Sequence, residues 1–64
     1  MFELKIKTGN AAFHDLAGGM PDEYAKRGEI RRILSQVADD IAAGYSSKSC
    51  VDLNGNVVGS WEIK

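Results

Sequence analysis

The chain reads as an α+β domain of β-α-β-β order, one amphipathic helix packed on a three-stranded antiparallel sheet. Three observations lead there: strict alternation in "FELKIK", a helical apolar stripe in "EIRRILSQVADDIAAGY", and an Asn-Gly pair between two further alternating runs. With 64 residues, positions 1–64 make a single domain, because so short a chain buries only about 60% of its unfolded surface.

The first strand is set by Phe2, Leu4 and Ile6, which alternate with Glu3, Lys5 and Lys7 and give it one buried face. Thr8-Gly9-Asn10 ends it. The segment from Asn10 to Arg27 has no clear period, but Phe13, Leu16, Met20 and Tyr24 are apolar enough to pin it to a core. Gly18-Gly19 marks a turn and lacks the spacing of a nucleotide-binding glycine motif. A connection this long in so small a domain is a natural place for a partner site.

At about 100° per residue, Ile30, Ile33, Leu34, Val37, Ala38 and Ile41 share one stripe of the helix. Gly44 stands where a left-handed residue would stop it. Upstream, Pro21-Asp22-Glu23 resembles a first turn, and Asp22–Lys26 and Glu23–Arg27 are spaced i,i+4. A straight continuation would put Glu23, Lys26 and Arg27 on the apolar stripe, and Gly28 in a helix interior costs about 1 kcal/mol relative to Ala. The expectation is therefore a separate turn at 21–27, a break near Gly28 and a core-packed helix over about 29–43. The alternative is one long helix whose first turns overhang the sheet.

"SKSCVDL" and "VVGSWEI" form a hairpin around Asn54-Gly55-Asn56. A three-residue loop pairing Leu53 with Val57, Val51 with Gly59 and Ser49 with Trp61 would place Val51, Leu53, Val57, Trp61 and Ile63 on one face. Gly55 or Asn56 would take the positive φ, and Gly59 would leave room for a helix side chain or mark a bulge. The outer face would then carry Glu3, Lys5, Lys7, Lys48, Asp52, Glu62 and Lys64. A helix that runs back over the sheet makes the first two strands point the same way. Placing the most apolar third strand in the middle gives the order 1-3-2; the rival order sets the first two strands side by side in parallel.

Composition limits the function classes. Apolar residues make up 44% and charged ones 27%, with a net charge of −1, so no global field draws the chain to nucleic acid or an anionic membrane. Cys50 is the only cysteine. No internal disulfide can form, "MFELKIK" lacks the apolar run of a signal peptide, and the expected location is the cytosol of a host cell. Asp52, Asn54 and Asn56 imitate the opening of a calcium loop, but Val57 and Ile63 stand where its glycine and acid belong, so they read as a turn and no metal is expected. His14-Asp15 with Cys50 lacks a nucleophile signature, and neither catalysis nor a cofactor is expected. Lys26, Arg27, Arg31 and Arg32 form a basic cluster at the helix start with Asp39 and Asp40 near its end, an order that opposes the helix dipole.

"TGNAAF" after the first strand, "EIRRILSQVADDI" on the helix and "DLNGNVVGSW" in the hairpin resemble a group of very small proteins encoded by bacteriophages, prophages and other mobile elements. The likeness spans most of the chain through Gly9, Asn10, Phe13, Asn54, Gly55, Asn56, Gly59 and Trp61; "LAGGMPDEYAKRG" departs from it. The resemblance implies a non-enzymatic protein that binds a protein partner, in the setting of host-defence inhibitors such as anti-CRISPR proteins. The partner surface expected from the sequence comprises His14, Asp15, Tyr24, Lys26, Arg27, Arg31 and Arg32. The alternatives are a nucleic-acid-binding protein using Lys5, Lys7, Lys26, Arg27, Arg31 and Arg32, or a structural homodimer formed through strand edges or helix surfaces.

Overall fold

The computed structural model describes residues 1–14 and 22–64, with Asp22 described by its backbone alone. Expectations that rest on Asp15, Leu16, Gly18-Gly19, Met20, Pro21 or the Asp22 side chain lie outside the described residues. Strand β1 spans Phe2–Ile6 and is followed by a single 3-10 turn, Ala11–Phe13. Helix α1 covers Asp22–Ala42, and β2 (Ser47–Val51) and β3 (Val57–Ile63) complete the chain. The sheet order is β1-β3-β2 with both pairings antiparallel, so the central position does go to the third strand.

The helix is continuous through Gly28, which corrects the expected break. In its first turns Glu23 and Arg27 are exposed and form an i,i+4 ion pair of 2.8 Å. Space around Gly28 is open, so nothing forces the backbone to bend there. The far end stops at Gly44, with φ 104°. Tyr45 N–H donates to Asp40 O and Gly44 N–H to Ile41 O, both at 3.1 Å, the paired closure of a Schellman motif.

Phe13, Ile33, Val37, Cys50, Val58 and Trp61 form the buried core, with Leu4, Ile6, Ala12 and Ile30 packed against it. Phe2 stacks at a tilt on Trp61, ring centres 6.1 Å apart, yet remains half exposed. The helix stripe is only partly used. Ile33 and Val37 are buried, whereas Leu34 and Ile41 stay exposed.

The hairpin departs from its expected register for a local reason. Its loop does have three residues, but they are Leu53, Asn54 and Gly55, closed by Asp52 N–H donating to Asn56 O at 2.8 Å. Gly55 N–H donates to Asp52 O and Gly55 has φ 87°, so the turn is completed by a left-handed glycine. Lys48 therefore pairs with Trp61, Ser49 with Ser60, Cys50 with Gly59 and Val51 with Val57. Val58 is the extra residue of a β-bulge, and it enters the core beside Gly59. Val51, Leu53 and Val57, expected on the inner face, are exposed, while Cys50 and Val58 are buried. Lys48 moves to the helix side, where its Nζ lies 3.6 Å from Asp40 Oδ1 and 4.4 Å from the centre of the Tyr45 ring.

Gly59 marks the bulge, but the space beside it is taken by main chain rather than by a helix side chain. A Cβ there would lie 1.8 Å from Lys5 O and 2.9 Å from Ile6 Cα. Gly59→Ala should destabilise the fold by about 3 kcal/mol, read as a lowered urea midpoint. Gly28→Ala should raise stability by about 0.5–1 kcal/mol because it restores helix propensity in open space. Thermal melts of the two variants, moving in opposite directions, check both statements.

Candidate functional site

Two groups of side chains on α1 stand out, and they differ in kind. The first joins the helix to the hairpin. Asp52 is buried, and its Oδ1 accepts Asn54 N–H at 2.9 Å and Asn56 N–H at 2.8 Å. Its Oδ2 accepts the side-chain amides of Asn10 at 3.1 Å and Asn56 at 3.3 Å. The carboxylate that could have held an ion is thus filled by its own turn. Among the described residues no group of three or more His, Cys, Asp or Glu is placed to hold a metal.

Beside it, buried Glu29 accepts Leu53 N–H at 2.6 Å and a two-pronged contact from Arg32. Arg32 also donates to Val51 O at 2.9 Å. The Arg32 hydrogen bond, opposed by burial and aided by Leu53 N–H, holds the Glu29 carboxyl below its ordinary range and raises the guanidinium. Burial pushes Asp52 upward, but the donors from Asn10, Asn56 and Asn54 outweigh it, so Asp52 also lies low. Arg32, expected at a partner surface, stays exposed while it bonds to Glu29 and to the hairpin carbonyl. Its sequence signal was the i,i+3 spacing from Glu29.

The second cluster is a stripe on the opposite side of the helix. Tyr24, Arg27, Arg31, Leu34, Ala38 and Ile41 follow one another at steps of three and four residues, all exposed. Arg27, Ile30, Arg31, Leu34, Ser35 and Ala38 line a shallow depression there. Arg31 makes no ion pair among the described residues. Tyr24, Arg27 and Arg31, three of the residues named for a partner surface, therefore lie together on this stripe. Lys26 is half-buried and, from its helical angle, lies off the stripe on the core side. His14 follows the 3-10 turn and is half-buried; Asp15 lies outside the described residues. Leu34, Ala38 and Ile41 were read as core, so their part in this surface was missed. The period located their face, but it could not show how much of that face the sheet would cover.

Cys50 is buried in the core, where burial and then the Asp40 carboxylate raise its thiol. It packs as a small apolar side chain. Lys5 and Lys7 project from the sheet side opposite the helix, apart from the helix cations, which follows from the pairing of Lys5 with Ser60 and the strand period. The outer rows are Glu3–Glu62–Ser47 and Lys5–Ser60–Ser49, without an aromatic. No described helix is long and apolar enough to cross a membrane. No protein-family model, no curated protein and no solved structure matches the chain.

Both low carboxyls carry a pH dependence of definite sign. A group whose folded pKa is depressed stabilises the fold above its unfolded value and loses that contribution as pH falls through the folded value. The urea midpoint should hold steady down to about pH 5 and fall below about pH 4, where free carboxyls protonate. An Asp52→Asn/Glu29→Gln double variant should start from a lower midpoint at pH 7 and fall less steeply in acid. An acid limb as steep as the wild type's would assign the effect to other carboxyls.

Proposed function

We propose that this is a non-enzymatic binding protein of a bacteriophage or other mobile element, and that it engages a protein partner through the exposed stripe of α1. The observation that carries the reading is the stripe itself: Leu34, Ala38 and Ile41 present apolar surface to solvent, with Arg27 and Arg31 at one end. An apolar row on a rigid helix supplies contact area, and flanking guanidinium groups supply orientation and the ability to grip carboxylates in pairs. The partner this fits is a protein surface with an apolar centre and Asp or Glu beside it. The likeness of "TGNAAF" and "NGNVVGSW" to phage and prophage proteins supports a partner in a bacterial host's cytosol. Inhibition of a defence system such as CRISPR-Cas is the role this reading favours.

The nucleic-acid alternative draws less support. Its six cations divide between the two sides of the sheet, and Arg32 and Arg27 already face Glu29 and Glu23.

A photo-crosslinking residue at position 34, in a chain expressed in bacteria carrying an active CRISPR-Cas system, tests the reading. One protein should be crosslinked, through a peptide bearing Asp or Glu. Arg31→Glu should abolish both that crosslink and the protection of a targeted phage, and Leu34→Asp, in a chain without the crosslinker, should abolish the protection. Crosslinks only to nucleic acid would transfer the surface to the alternative. Protection that survives both substitutions would remove the stripe from the mechanism.

A further inference from the structure

Independently of that stripe, the edge of β1 is built to pair with itself. The ladder between β1 and β3 is phased by Lys7 N–H donating to Val58 O at 2.7 Å and Lys64 N–H to Met1 O at 2.6 Å. Odd-numbered residues of β1 therefore face β3, and the backbone groups of Phe2, Leu4 and Ile6 point to the free edge. No hydrogen bond from another described residue reaches those three main-chain positions outside the ladder.

Laid antiparallel against a second copy with a two-fold axis at Leu4, this edge matches at every position. Leu4 meets the other Leu4, Phe2 meets Ile6, and Glu3 meets Lys5. The facing residues are those whose N–H and C=O groups no described residue occupies, so the pairing would add about six inter-chain hydrogen bonds in the ordinary antiparallel pattern. Moving the axis by one residue sets Glu3 against Glu3 or Lys5 against Lys5, so charge selects a single register.

The outer face of one copy is left electrostatically uneven in a way that the pairing corrects. Glu3 lies directly opposite Glu62, and among the described residues Lys64 alone serves both carboxylates, at 3.2 and 3.6 Å. Lys5 pairs with Ser60 and has no acidic partner among the described residues. In the paired edge each Lys5 gains a carboxylate and each Glu3 a second cation. On the inner face, half-exposed Phe2 gains Ile6 of the other chain as a neighbour. We propose that two copies associate through β1 into a continuous six-stranded antiparallel sheet, with Leu4 on the two-fold axis.

Sedimentation equilibrium of the full chain tests this with a charge exchange. The wild type should dimerise. Glu3→Lys and Lys5→Glu should each weaken the dimer about tenfold, because each sets like charges opposite one another twice. An equimolar mixture of the two variants should recover wild-type affinity as a heterodimer, since two lysines on one edge then meet two glutamates on the other. Lys5→Glu breaks no ion pair of the monomer, and unchanged circular dichroism controls for folding. Leu34→Asp should leave association untouched, which separates this edge from the helix stripe. A wild type that stays monomeric at the highest attainable concentration would overturn the proposal. So would a dimer indifferent to both charge variants.

Discussion

Glu29 accepting the amide of Leu53 is the contact on which the arrangement of the other elements depends. It fixes the middle of a 21-residue helix to the tip of the hairpin. Arg32 repeats the connection one turn on by donating to Val51 O. A charged group bonded to backbone contributes more than a neutral pair and is costly to leave unmatched once buried. The helix is thereby drawn toward β2, where Lys48 meets Asp40. Its opposite flank is left uncovered. The exposure of Leu34 and Ile41 follows from where the carboxylate is anchored rather than from any shortage of apolar sheet residues.

Asp52 extends the same logic to the turn. Four donors from Asn10, Asn54 and Asn56 converge on it, so one side chain both shapes the hairpin loop and ties down the segment after β1. That segment carries Phe13, wholly buried between helix and sheet. The Asn-Gly-Asn sequence thus acts less as a flexible connector than as a set of donors arranged around one acceptor. Because Asp52 and Glu29 adjoin, the loop and the helix share a single polar junction beneath an otherwise apolar core.

What could be read from the sequence follows the range of the interaction concerned. The α+β class, the 1-3-2 order, the closing role of Gly44 and the turn at Gly55 rest on period and local backbone preference, and all are present in the structure. Hairpin register was not legible, because counting apolar residues ignored what Asp52 could accept. Leu53 looked like a core residue and sits in the loop; Val58, absent from the expected inner face, is buried. Helix continuity past Gly28 stood only as the alternative reading, because the apolar stripe was expected to face the sheet along its whole length. Tyr24, Arg27 and Arg31, named from the sequence by charge and spacing, share one exposed stripe of the helix. The bond from Arg32 to Val51 O was not legible, because that acceptor comes from another part of the fold.

The bulge at Val58 bears on how this small protein can vary. From Asp52 to Gly59 the backbone is constrained at both ends and in the middle: a carboxylate holds one end, a left-handed glycine turns the middle, and the main chain of β1 abuts the other end. Gain or loss of a single residue in that interval would rotate Trp61 out of the core or detach the helix anchor, and no neighbouring slack could absorb it. Side chains on its exposed positions, Leu53 and Val57 among them, carry no such obligation. Descendants of this chain should therefore diverge at the hairpin by exchanging residues while keeping their number constant.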